Sequence, residues 1–432
     1  MFAACTRAFQ CLVAALALAA CADAGEAKPR WSTAAIDDLI TVAAQAPLEG
    51  LPSEEAAISE LEDMRSSADV VAAEQTDFLA DALFNRLAAS FARGAANPAR
   101  ADPSWHIPAA PAPDTAGLRL QLEQGALPSA LLQSLLPPAS DYAALRAELA
   151  RVRAEAPDSA DADGRTQTQR ISSLRASMER WRWLPRAVAA RRIEAHIAQF
   201  EIVRFDTGAV AVHTAIVGAR RTQTPSFAAD VVAVTLNPYW VPPASILLGE
   251  LAPAFHANPA AAASYEITDR NGRVVDAASV NWRARPLAVQ VRQRPGPANA
   301  LGQLKFEMPN PFDVYLHDTP SRRLFERDAR ALSHGCIRVQ DPVGLAAELL
   351  GSIRREDLEA AIASGATETR PLAAPVPFLA IYMTATVGAD GRVLYANDIY
   401  DRDRGVVALL DAPDVTLVTQ ARSQELERCV AH

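Results

Sequence analysis

Cysteine is scarce in this 432-residue chain: there are five, and Cys5, Cys11 and Cys21 sit close to the amino terminus. Only Cys336 and Cys429 remain, which excludes a disulfide framework for the folded part. An oxidising compartment would permit a Cys336–Cys429 bridge, but Cys429 lies in a charged tail near the end of the chain. Positive charge is also in short supply. The net charge is −9 and no basic block stands out, which argues against a nucleic-acid partner. Past the first two dozen residues no run is long and apolar enough for a transmembrane helix. No repeat of 20–50 residues is evident.

What is present describes a globular protein with room for two to three domains: half of the residues are apolar and 22% are charged. Residues 1–24 read as an export signal, with Arg7 as the positive start and an apolar run from Cys11 to Ala20. Leu18-Ala19-Ala20-Cys21 resembles the lipobox of bacterial lipoproteins, so Cys21 is the expected lipidation site and the lipid would anchor the chain to a membrane. Cleavage after Ala22-Asp23-Ala24 is the competing reading. The residue after Cys21 is Ala22 and not Asp, so the usual inner-membrane retention signal is missing. The expected location is the periplasm, with the outer membrane favoured over the inner.

Residues 30–156 carry helical periodicity. Ser32 caps a helix with Ile36, Leu39, Ile40 and Ala43 on one face. Leu79, Leu83 and Leu87 mark a second helix that ends near Gly94, and Leu145, Leu149 and Val152 mark another that stops at Pro157. Trp105 and His106 fall in the proline-rich connection between them and read as packing groups. Residues 157–168 are small and polar, a linker. A helix with Ile171, Leu174, Met178 and Trp181 on one face follows. Trp181 and Trp183 could form a sugar-stacking platform, but packing where helix meets sheet explains them better.

From Arg192 the period changes to two. Asp206-Thr207-Gly208 is a turn before a strand that places Val210, Val212, Thr214 and Ile216 on one face. Val231–Leu236, Phe312–Leu316 and Phe378–Val387 read as further strands, and residues 345–350 and 356–362 as helices. The expected fold class is α+β, a helical amino-terminal region followed by a mainly β catalytic domain.

The chemistry concentrates in Ser333-His334-Gly335-Cys336-Ile337-Arg338, which sets a thiol beside an imidazole and a guanidinium. His317 lies upstream in Tyr315-Leu316-His317-Asp318-Thr319-Pro320. A thiol attacks well only as thiolate, so a catalytic cysteine needs a nearby base or cation. Cys336 is therefore the candidate nucleophile and His317 the base, for acyl transfer through a thioester. Gly335 permits a tight turn that points N–H groups at the reacting centre, making the Gly335 and Cys336 amides candidate oxyanion donors. Tyr315 shares the face of His317 and could assist. Asp318 adjoins His317, and either its carboxylate or a backbone carbonyl near it could orient the ring. His334 either tunes the thiolate or braces the loop with Ser333. Arg338 could hold a substrate carboxylate or brace the loop by an ion pair. Trp240 forms either a wall of the cleft or part of the core. The alternative of zinc bound by His317, His334 and Cys336 lacks the paired short spacings of such sites, and no cofactor is expected.

These motifs resemble the L,D-transpeptidases with a YkuD-type catalytic domain, in particular their large YcbB-like subgroup. Supporting stretches are Met178-Glu179-Arg180-Trp181-Arg182-Trp183-Leu184-Pro185, Asn237-Pro238-Tyr239-Trp240, Arg292-Gln293-Arg294-Pro295-Gly296-Pro297, Pro309-Asn310 and Asp398-Ile399-Tyr400. The resemblance implies a catalytic domain at 169–402, β-sandwich-like, with a capping subdomain near 243–306 and a tail at 403–432. It implies 3→3 cross-linking of peptidoglycan, with tetrapeptide stems as donor and acceptor, and acyl adducts with carbapenem-type inhibitors. The alternatives use the same acyl-enzyme: hydrolysis as an L,D-carboxypeptidase or endopeptidase, or attachment of a protein to peptidoglycan. The small peptidoglycan-binding module usual in that subgroup finds no room in the linker.

Overall fold

The computed structural model describes residues 30–66, 70–157 and 159–412. The expected export signal, Cys21 and Cys429 lie outside them.

The amino-terminal region is helical: α1 (Thr33–Ala44), α2 (Glu55–Ser66), α3 (Val70–Arg93), α4 (Thr115–Glu123), α5 (Pro128–Ser134) and α6 (Ser140–Arg153). Ser32 caps α1 by accepting from the Ala35 N–H at 3.1 Å. Ile36, Leu39, Val42 and Ala43 fill its buried face and Ile40 is only partly covered, one step round from the expected stripe. Leu79, Leu83, Leu87 and Phe91 of α3 pack into the same core.

α7 (Gln167–Trp183) joins this region to the rest. A capping box starts it: Thr166 accepts from the Gln169 N–H, and the Gln169 side chain accepts from the Thr166 N–H. Leu174 and Met178 are buried, as the apolar spacing requires, but so are Glu179, Arg180 and Arg182. Arg182 holds Glu179 at 2.8 Å and the Tyr142 hydroxyl at 2.7 Å. Glu179 also accepts from the Ala96 N–H at 2.6 Å. From Arg170 onward no residue of the helix is exposed, and its charges tie the segments that enclose it. Trp183 meets Trp105 edge-on at 5.2 Å, so these rings are packing groups.

The sheet that follows comprises β1 (Arg192–His196), β2 (Glu201–Asp206), β3 (Ala209–Gly218), β4 (Phe227–Leu236), β7 (Leu304–Glu307), β8 (Leu316–His317), β9 (Ala331–Ser333), β10 (Ile337–Val339) and β11 (Glu368–Ile381). Their order is β10-β8-β7-β4-β11-β1-β2-β3-β9, and a further pairing of β10 with β3 closes the sheet on itself. The β2–β3 hairpin turns at Thr207-Gly208 with Gly208 at φ 76°. Inside lie Ile193, Phe227, Val234, Phe306, Leu316, Ile337 and Phe378, sealed by α8 (Pro342–Leu350) and α9 (Arg355–Ala363). The expected 378–387 strand breaks at Tyr382-Met383-Thr384, after which β12 (Ala385–Val387) pairs with β13 (Val393–Tyr395). α10 (Asp403–Leu410) packs against α7.

Between β4 and β7 a cap is inserted. It has its own core of Ala252, Phe255, Ala262, Ile267, Trp282 and Val291 and its own hairpin, β5 (Tyr265–Asp269) with β6 (Val289–Gln293). Leu304 to Glu307 pair with β4, so the cap ends before residue 304 and not at 306.

Candidate active site

Strand register assembles the site. In the parallel pair β10–β8, Ile337 sits beside Leu316 and Arg338 beside His317. Lys305 of β7 lies opposite His317, and Ile216 of β3 opposite Arg338. Because side chains alternate across a strand, Leu316, Ile337 and Val339 enter the core while Lys305, His317 and Arg338 share the other face. Tyr315 and Cys336 are each one residue outside this pairing, at the same parity, and the Ile337 N–H donates to the Tyr315 carbonyl at 2.8 Å. Cys336 and His317 therefore belong to one face of neighbouring segments.

Residues 311–315 form a loop, so of the expected 312–316 strand only Leu316 is paired. Asn310 shapes it by donating to the carbonyls of Met308 and Val314 at 2.7 and 2.8 Å and accepting from the Phe312 and Val314 N–H groups. Asp313 there adopts a left-handed φ of 53°, and its carbonyl is the polar partner of the Cys336 sulfur, at 3.8 Å. No hydrogen bond joins Cys336 to His317 among the described residues. Burial pushes the Cys336 thiol up, against a backbone hydrogen bond from Tyr315 and the Arg338 charge.

His317 is buried, and its Nδ1 bonds the Asp318 backbone carbonyl. A carbonyl only accepts, so Nδ1 carries the proton and Nε2 keeps its lone pair. Burial, reinforced by the Arg338 charge, pushes the ring down to about 3, while the carbonyls of Asp318 and Leu301 pull it up. The imidazole is neutral at physiological pH. The Asp318 carboxylate is turned elsewhere, accepting from the Gln303 N–H at 2.8 Å and pairing with Arg322 at 2.6 Å.

Other expected site residues take different places. The Ser333 hydroxyl accepts from the Gly335 N–H at 3.1 Å and donates to the Cys336 carbonyl at 2.6 Å. This corrects the oxyanion expectation for Gly335, whose N–H is already used; the Cys336 N–H has no acceptor among the described residues. Gly335 itself sits at φ 116°, a conformation few side chains tolerate. His334 bonds Glu250 of the cap at 2.9 Å. Among the described residues no three His, Cys, Asp or Glu side chains are grouped so as to hold a metal ion, His317, His334 and Cys336 included. Trp240 is nearly buried and its backbone bridges to Gln293 where the cap joins the sheet, so it closes the base of the cap. The Arg338 guanidinium, half-buried, has no ion-pair partner among the described residues, and its Nε has no hydrogen bond.

Sequence reasoning missed Lys305, Asn310, Thr224 and Arg402. Lys305 stands over the Tyr315 ring at 4.5 Å and adds positive potential at the sulfur. Asn310 lay in a stretch already singled out, and its tie to a left-handed neighbour is what could have revealed it.

Residues 190–359 match the YkuD family, described as the L,D-transpeptidase catalytic domain. Residues 190–359 thus form a YkuD-type domain. Residues 23–149 match a family described as the Scaffold domain, which coincides with the helical region. A Haemophilus influenzae protein named "Putative L,D-transpeptidase" is 36% identical over 197 residues. That match covers 44% of this chain and 40% of the relative, so the chain spans well under half the length of the curated relative it matches.

Proposed function

We propose that this chain is an exported cysteine L,D-transpeptidase that forms 3→3 cross-links between peptidoglycan stem peptides. The observation that carries the reading is the strand register that sets Cys336, His317 and Arg338 on one face, with His317 neutral and its Nδ1 committed to a carbonyl.

In the proposed reaction His317 Nε2 takes the thiol proton as the Cys336 sulfur attacks the carbonyl of the third stem residue. The scissile amide breaks, the D-alanine amine leaves with the proton from His317, and a thioester remains. An amine from a second stem then attacks the thioester, and His317 removes its extra proton and returns it to the departing Cys336 sulfur. The Cys336 N–H is free to meet the oxyanion, and Tyr315, whose hydroxyl burial keeps protonated, can add a second donor. Arg338 takes a donor carboxylate, with Lys305 reinforcing the field.

The donor and acceptor are peptidoglycan tetrapeptides in this reading, and carbapenem-type compounds acylate the same sulfur. Cleavage of the export signal, with lipidation at Cys21, places the chain in the periplasm, anchored to the outer membrane.

The test is incubation of the mature protein with disaccharide-tetrapeptide and a search for the 3→3 dimer by mass spectrometry. Dimer formed by a Cys336→Ala protein would overturn the mechanism. Tripeptide without dimer would assign hydrolysis instead.

A further inference from the structure

The turn that carries Cys336 is held from behind by a buried chain of contacts. The Gly335 carbonyl accepts from the Thr224 hydroxyl at 2.7 Å, and that hydroxyl accepts from the Gly218 N–H at 2.9 Å. Thr222 adds a bond to the Ser333 carbonyl at 3.0 Å. Segment 222–224 is in turn gripped by Arg402, which donates to Gln223 Oε1 at 3.1 and 2.9 Å and to the Thr224 carbonyl at 2.9 Å. The Arg402 guanidinium stands 4.8 and 4.7 Å from the ring centres of Tyr382 and Tyr400, which stack on each other at 5.4 Å. The Tyr400 hydroxyl donates to the Gly218 carbonyl at 2.5 Å.

Behind Arg402 lies a buried charge relay. Asp102, from the amino-terminal helical region, is 3.8 Å from Arg402 and 3.7 Å from Arg180 of α7. Arg180 is held by Asp403 at 2.5 Å. A buried cation removed from its anion leaves an uncompensated charge, so each member fixes the next. The planar guanidinium supplies three directed bonds and a stack at once, which an ammonium cannot reproduce.

We propose that Arg402 is a positioning residue for the Cys336 turn, acting through Gln223 and Thr224, and that Asp102 of the amino-terminal region holds it in register. The helical region is then a part of the active site's frame and not an appendage. The inference rests on Cys336 being the nucleophile, and it leaves the natural acyl donor open.

The experiment reads the nucleophile independently of that donor. Full-length protein is mixed with p-nitrophenyl acetate: the Cys336 sulfur displaces p-nitrophenolate, giving an acetyl thioester and a burst of colour. Cys336→Ala serves as the blank. Thr224→Val and Arg402→Lys should slow the burst tenfold or more, with full burst amplitude and a melting temperature within a few degrees of wild type. Asp102→Asn should slow it less, in the same direction. A conformational scaffold without influence on the thiol would shift melting and leave the burst rate alone. If Arg402→Lys fails to fold, Thr224→Val and Gln223→Ala, which remove no buried charge, decide the matter. Burst rates within twofold of wild type in the folded variants overturn the proposal. A wild-type burst without any product from peptidoglycan peptides would count against the proposed function and leave this inference standing.

Discussion

Arg338 lies beside His317 across the parallel pair β10–β8, and no carboxylate among the described residues neutralises it. A half-buried guanidinium without an anion is costly to maintain, and its buried Nε is left without a partner. A carboxylate arriving with the donor would complete it. The expected outcome for Arg338→Met is a fall of about 10- to 100-fold in kcat/KM on a donor with a free carboxylate, the range for a charged hydrogen bond. The same donor with that carboxylate amidated should be used almost equally by both proteins. Steady-state kinetics on the matched pair checks this, and an equal loss on both donors would remove the binding role.

The titration of the site follows from burial. His317, pushed down to about 3, is a neutral base throughout the neutral range, and the Cys336 thiol is pushed up. The resting pair is therefore thiol and imidazole, not thiolate and imidazolium. Alkylation of Cys336 by iodoacetamide should climb steadily with pH past the usual thiol value of ~8.5, with no step near 6.5. The depressed value of His317 also stabilises the fold above ~6.5. That contribution is lost as pH falls toward 3, because the unfolded chain takes up the proton first. His317→Gln should lose less stability than wild type between pH 7 and pH 4, measured by denaturant melts. A flat, fast alkylation plateau from pH 5 to 8 would contradict both statements.

Gly302 is a position where a single methyl group should reach the chemistry. It sits at φ 64°, and a Cβ there would run into the Asp318 carboxylate. That carboxylate anchors the Gln303 N–H while the Asp318 carbonyl holds the His317 ring. Gly302→Ala should cost about 1–3 kcal/mol for its backbone strain and slow acylation by shifting the ring's partner. A thermal melt paired with a burst measurement checks it; an unchanged burst rate would show that Asp318 does not transmit the shift.

How legible all this was in the sequence depended on whether local pattern or long-range pairing set the outcome. The helix from Ser32, the hairpin at Thr207-Gly208 and the parity of Tyr315 and His317 are local, and the chain spells them out. The 312–316 segment reads as apolar strand, yet Asn310 offers its backbone competing hydrogen bonds and turns most of it into a loop. The Glu179, Arg180 and Arg182 side chains look like a solvated face because nothing nearby in sequence shows the Tyr142, Ala96 and Asp403 groups that meet them. The same holds for Thr224 and Arg402, whose bonds to the Gly335 and Thr224 carbonyls, respectively, each span more than a hundred residues.

The contact between His334 and Glu250 links the Cys336 turn to the cap, and it separates stability from substrate handling. Both side chains are more than half exposed, and so exposed a polar contact contributes about 0–1 kcal/mol. Glu250→Ala should leave the melting temperature within about 2 °C of wild type, since so small a term moves a domain of this size little. The cap, however, has its own core and meets the catalytic turn through this exposed pair. Losing it should raise KM for a disaccharide-tetrapeptide several-fold while the burst with p-nitrophenyl acetate, too small to need the cap, stays the same. A KM unaffected by the substitution would show that His334 only braces its own loop.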